Sequence, residues 1–104
     1  MQEQRRFERY ATQRPIDCSP VSNMPDLGWA ATICDVSLGG IGVSATRRFE
    51  RGVLLMVQSG EGSADGFLKL VQVKHVRPEG ERQFLGCAFV SDLSADELEA
   101  MRCI

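Results

Sequence analysis

The sequence has no apolar run near the roughly 18 residues needed to cross a bilayer, and its opening stretch MQEQRRFERY lacks the hydrophobic segment of a secretory signal. These absences point to a cytoplasmic protein without membrane insertion. Four cysteines, Cys18, Cys34, Cys87 and Cys103, form no C-x-x-C pair, and His75 is the single histidine available to complete a metal site. A structural zinc is therefore not expected, and in a reducing compartment neither are disulfides. Cysteines at strand positions serve as small buried hydrophobes. An excess of basic residues is missing too: the formal net charge is −2 and aromatics make up 7% of the chain. A binder of nucleic acid polymers needs a basic face, and a single-strand binder also needs exposed aromatic platforms, so both are disfavoured. No Ser or Cys stands at a recognisable spacing from His75, and no Gly-rich loop opens a helix. The expectation is a protein that is not an enzyme and carries no metal or cofactor.

What is present suits one folded domain. At 104 residues, with 43% hydrophobic and 25% charged residues, the chain can bury a core without staples. Thr32 to Val36 reads as a strand, the glycines of SLGG permit a tight turn, and Ile41 and Val43 begin the next strand. Val53 to Gln58, Phe67 to Arg77 and Phe84 to Val90 are further β-type runs, broken by GEGSADG and RPEGER. The apolar register shifts within the Leu68 to Val76 run, which predicts a bulge. Pro15 to Val21 can supply another short strand, and Val21 to Gly28 reads as a loop. Strands of this length and spacing predict an all-β, closed or nearly closed barrel. Ser94 to Glu97 is an S-x-x-E capping box, and Leu98 and Met101 share a helical face, so a short helix closes the chain. Its acidic residues Asp96 and Glu97 complement the helix dipole and need no catalytic explanation.

Two groups of residues carry ligand chemistry. Basic charge is concentrated at the N-terminus, where Arg5, Arg6, Arg9 and Arg14 outnumber Glu3 and Glu8 within residues 1 to 16. Arg5 and Arg9 are spaced to share one helical face or to wrap a ligand from an extended tail. The planar guanidinium fork suits phosphate oxygens and the O6 and N7 acceptors of guanine. Asp35 and Ser37, two apart in a strand, would point to one face of the sheet. An ionised Asp accepts the N–H groups of a guanine edge, and a Ser hydroxyl both donates and accepts. Gly39 and Gly40 let a ligand approach the backbone. Each group also has a plainer use: terminal arginines form a solvated tail, and D-x-S before glycines forms a turn bonded to its own backbone.

The combination of R-x-x-x-R at Arg5 and Arg9 with D-x-S-x-x-G at Asp35, Ser37 and Gly40 resembles the PilZ domain family, which bacteria use to bind cyclic di-GMP. The I-G-V that follows the glycines, the L-G-C-A-F of residues 85 to 89 and the final helix extend the resemblance over nearly the whole chain. It implies a six-stranded antiparallel PilZ-like β-barrel, residues 15–104, with a short C-terminal helix, preceded by a flexible arginine-bearing segment, residues 1–14. It also implies a function: a cyclic di-GMP receptor whose arginine segment is ordered by the ligand and which signals to a protein partner. Arg5 and Arg9 would hold phosphates and guanine edges, Asp35 and Ser37 would contact a guanine, and Gly40 would be the close-approach residue. Arg6 and Gly39 complete the expected ligand-binding set. Gln4, at a position where family members differ, leaves open whether one cyclic dinucleotide or a stacked pair is held. The alternative is a PilZ-like adaptor that binds protein and no nucleotide.

The string RRFER occurs twice, at residues 5 to 9 and 47 to 51, so Arg47 and Arg51 repeat the arginine spacing. Spacing alone does not choose between the copies. Only the first precedes the D-x-S-x-x-G motif as the family pattern requires, while the second, just before Gly52, suits an exposed connection between strands. Trp29 and Phe7 have faces on which a base can stack, although packing at the barrel rim is their commoner use.

Overall fold

The structure, a computed structural model, describes residues 8–21, 29–59 and 68–102. It contains six strands, β1 (Tyr10–Pro20), β2 (Trp29–Val36), β3 (Gly40–Ala45), β4 (Leu54–Ser59), β5 (Leu68–Glu79) and β6 (Arg82–Phe89), and one helix, α1 (Ala95–Arg102). The strands close in the order β1-β2-β3-β6-β5-β4, with every neighbouring pair antiparallel. Closure leaves no unpaired edge. The all-β barrel and its C-terminal helix thus match the expectation from the sequence.

Inward positions follow the period of two in β1, β4 and β5 and skip one residue at an irregularity in β2. Ile16 and Cys18 of β1, Ile33 and Val36 of β2, Leu55 and Val57 of β4, and Val71 and Val73 of β5 are all at most 1% exposed. These are mainly β-branched or leucine side chains, each contributing about 1.5–3 kcal/mol when fully buried. Cys18 and Cys87 belong to the same core as free thiols. Burial pushes the Cys18 thiol up to about 11 and the Cys87 thiol up to about 12, so both are neutral small hydrophobes at neutral pH.

Helix α1 packs against β1 and β2 at the end of the barrel where β1 begins and β2 ends. Its start is the expected capping box in both directions: the Glu97 amide donates to Ser94 Oγ at 3.1 Å, and the Ser94 amide donates to Glu97 Oε1 at 2.8 Å. The hydrogen bond from the Ser94 backbone, helped by Lys69 at 3.5 Å, lowers the Glu97 pKa. Met101 of the helix, with Leu93 just before it, joins the core. Among the described residues, no helix is long and apolar enough to cross a membrane.

The structure differs from the expectation in three places. β1 starts at Tyr10, so the boundary expected at residue 15 falls inside a strand. The first half of β1 escapes an apolar pattern because its inward residues are Thr12 and Arg14, buried but polar. Arg14 reaches under the helix, where Nη1 donates to the Ala100 carbonyl at 3.3 Å, a favourable place for a cation near a helix C-terminus. The second difference is at RPEGER, where β5 and β6 run through the expected break and leave a turn at Gly80 and Glu81. Gly80 takes φ of +62°, which an L side chain resists. The third is Ser37, which lies beyond the end of β2 and is taken up below. The bulge expected in β5 falls between Val73 and His75, where the register with β6 shifts.

Candidate ligand-binding site

The antiparallel pairing of β1 with β2 places Tyr10 opposite Val36 and Ala11 opposite Asp35. Arg9, immediately before β1, therefore comes up beside the end of β2. Its Nη2 lies 3.2 Å from Asp35 Oδ1, and its Nη1 donates to Ser37 Oγ at 3.5 Å. Two motifs that are 28 residues apart in the chain thus meet at one spot, with the Arg9 and Asp35 side chains 25% and 29% exposed. Arg5 and Arg6 lie outside the described residues, as does Phe7.

Asp35 owes its outward aim to an irregularity. The β2 to β3 register shifts between Ile33 and Asp35, so Cys34 and Asp35 are both half-buried between the buried Ile33 and Val36. An extra residue in one strand breaks strict alternation and re-aims a side chain. Asp35 Oδ1 is buried and accepts no hydrogen bond; the 3.2 Å ion pair to Arg9 is close but not aligned as one. The carboxylate keeps acceptor capacity for an N–H donor.

Ser37 does not share a strand face with Asp35, because β2 ends at Val36 and the serine turns inward, 3% exposed. Its hydroxyl organises the turn: the amides of Gly39 and Gly40 donate to Oγ at 3.3 and 3.2 Å, and the Ser37 amide donates to the Gly40 carbonyl at 2.9 Å. A hydroxyl has two lone pairs. With two amides already on them, the 3.5 Å contact from Arg9 is the weakest of the set. The plainer reading of D-x-S before glycines is thus realised at Ser37, while Asp35 remains turned toward Arg9.

Gly40 has a structural reason to be glycine. A Cβ there would run into the Cys87 carbonyl oxygen of β6, so the close pairing of β3 with β6 at this point requires a residue without a side chain. Gly42, opposite Asp35 in the β2 to β3 ladder, was not singled out from the sequence although it stands in I-G-V. A Cβ at Gly42 would sit 2.7 Å from Asp35 Oδ2 and 2.7 Å from Phe84 Cζ. The gap is filled from the sides by a carboxylate and a ring. Over that ring lies the guanidinium of Arg77, 4.6 Å from the Phe84 centroid. His75 covers the next glycine along the row, Gly86.

The second RRFER lies at the opposite end of the barrel, in the connection from β3 to β4. Arg47 stacks on Trp29 at 4.7 Å and on Phe49 at 5.1 Å, while Arg48 and Arg51 are exposed. Phe49 is buried and its amide donates to Gln83 Oε1 at 2.8 Å. This copy serves as a connection anchored by its phenylalanine, and Trp29 is at the rim of the barrel. Among the described residues, no cluster of His, Cys, Asp and Glu could hold a metal ion.

Among curated proteins none matches the chain. Two solved structures share its fold over 96% of its length at 16% identity. One is the PilZ domain of YcgR from Escherichia coli with c-di-GMP, with a TM-score of 0.65 and 87% of that chain covered. The other is the inhibitor of motility MotI/DgrA of Bacillus subtilis, with a TM-score of 0.64, of which this chain spans 48%. At such identity the likeness is one of fold. The profile of the PilZ domain matches residues 3–104, essentially the whole sequence including both motifs. The chain belongs to the PilZ domain family.

Proposed function

We propose that the protein is a cyclic di-GMP receptor domain that gathers its N-terminal arginines around the ligand and presents the resulting surface to a protein partner. The observation that carries this reading is the Arg9 to Asp35 contact at 3.2 Å, made by a carboxylate oxygen that accepts no hydrogen bond. The two side chains form an ion pair. A guanine offers Asp35 two N–H donors on its Watson–Crick edge, and it offers Arg9 the O6 and N7 acceptors or, nearby, a phosphate. Arg5 and Arg6 are the further cations of this set, on the same segment. Gly39 and Gly40, held by Ser37, set the backbone beside it.

Magnitudes favour the exchange. A partly exposed ion pair is worth about 0–1 kcal/mol. One bidentate arginine to guanine contact is worth about 1–3 kcal/mol. Breaking the first to make the second, together with phosphate contacts, leaves a surplus to offset the ordering of the tail. Micromolar binding corresponds to about −8 kcal/mol. The function is recognition and ordering in the cytoplasm, with no bond made or broken.

The adaptor reading draws on the same contact, since the Arg9 to Asp35 ion pair ties the start of β1 to the end of β2. Titration calorimetry with cyclic di-GMP, GMP and cyclic di-AMP separates the two. The receptor reading expects heat with cyclic di-GMP, much weaker binding of the other two, and loss of binding in Asp35→Ala. A parent protein that gives no heat with cyclic di-GMP leaves the adaptor.

A further inference from the structure

The edge of a guanine at Asp35 accounts for only part of a flat base, whose two faces also need contacts. Across Gly42 from that carboxylate stands the phenyl ring of Phe84: ring and carboxylate each lie 2.7 Å from the place a Cβ would take at Gly42, one on either flank of β3. Any side chain at position 42 would separate them. The ring is half-buried, reached from outside, and carries the Arg77 guanidinium on its face at 4.6 Å. Arg77 is 64% exposed and pairs with Glu79 at 3.0 Å, an exposed pair of the weak kind. The meeting of Arg77 with Phe84 depends on the β5 bulge. The register shift between Val73 and His75 brings Arg77 opposite Phe84, and a one-residue slip would turn Arg77 to the other face.

We propose that Phe84 and Arg77 form a stacking shelf for the guanine whose edge Asp35 receives, with the base lying on the phenyl ring and the guanidinium closing over it. This rests on the reading of the domain as a cyclic di-GMP receptor. Arg77 lies over the ring, 4.6 Å from its centroid. A guanidinium stacks on a purine as it does on a phenyl ring, so Arg77 exchanges one flat partner for another and stays within the site. The shelf favours a large flat purine, while Asp35 selects the base that presents paired N–H donors.

Calorimetry with cyclic di-GMP on the full chain tests this, using Arg9→Ala as the reference for the receptor reading. Phe84→Leu is expected to weaken binding about ten-fold or more, the range of base stacking on an aromatic, and Phe84→Tyr to retain it. Arg77→Gln is expected to weaken it less than Phe84→Leu. In Phe84→Trp the new indole is expected to be quenched by saturating ligand, whereas Trp29, at the opposite end of the barrel, keeps its emission in the parent. A parent that binds, an Arg9→Ala that does not, and a Phe84→Leu that binds as the parent does would overturn the shelf and leave the receptor reading standing. An unquenched indole in Phe84→Trp at saturating ligand would also overturn it. Absence of binding by the parent would remove the receptor reading and the shelf with it.

Discussion

The same five residues, RRFER, occur twice in the chain, and the last arginines of the two copies, Arg9 and Arg51, have different surroundings at opposite ends of the barrel. The last arginine of the first copy, Arg9, faces Asp35 at 3.2 Å because β1 pairs with β2 just beyond it. The last arginine of the second, Arg51, is exposed in a turn, and the first, Arg47, is stacked on Trp29 and Phe49. A motif is therefore given its chemistry by the strand that follows it. Where the register delivers an arginine to a carboxylate, the string supplies one half of an ion pair at the candidate site. Where a buried phenylalanine anchors it, it becomes a connection.

The largest effect that tests this comparison is on binding. Arg9→Ala is expected to weaken cyclic di-GMP binding by about a hundred-fold, or about 2.7 kcal/mol, by calorimetry, and Arg51→Ala to leave it unchanged. Equal losses from both would erase the distinction between the copies.

Next come the glycines that accompany each copy. Gly40→Ala is expected to lower unfolding stability by about 1–3 kcal/mol in urea titration, since the added methyl meets the Cys87 carbonyl. Gly52, directly after the second copy, has open space around it but φ of +92°. Its replacement by Ala is expected to cost about 1–2 kcal/mol through backbone conformation alone. Arg47→Ala is the smallest change, at about 0.5–1 kcal/mol for an arginine on aromatic faces, with no effect on ligand affinity.

Alkaline titration probes the core that joins the two ends. The Cys18 and Cys87 thiols are raised from 9.0 to about 11 and about 12, chiefly by burial. The unfolded chain therefore loses these protons first. The stability they contribute is complete below pH 9 and declines as pH rises through 9 toward 11, a trend that urea midpoints across that range would follow and that Cys18→Ala with Cys87→Ala would flatten.

The comparison also marks what the sequence could disclose. Strands such as β4 and the helix start at Ser94 were legible because alternation and capping act on neighbouring residues. The first half of β1 was not, since Thr12 and Arg14 point inward beneath α1 and carry no apolar signal. The bulge at Cys34 that re-aims Asp35 leaves no mark either: no non-glycine residue described has positive φ, so no special residue type announces it. The inward turn of Ser37 is equally hidden, because an Asp-x-Ser pattern does not say whether the hydroxyl turns to a ligand or to the amides of the next two glycines. The stack of Arg77 on Phe84 depends on a register set by another bulge, and the two residues face each other across a hairpin that contains neither ligand motif.

Hydrogen exchange with and without cyclic di-GMP tests the central claim most directly, because it reads both RRFER copies in one experiment. The ligand is expected to raise protection in peptides covering residues 1–9 and 35–42 and to leave those covering 47–52 unchanged. Protection that rises at 47–52, or that changes at neither place with ligand at saturation, would contradict it.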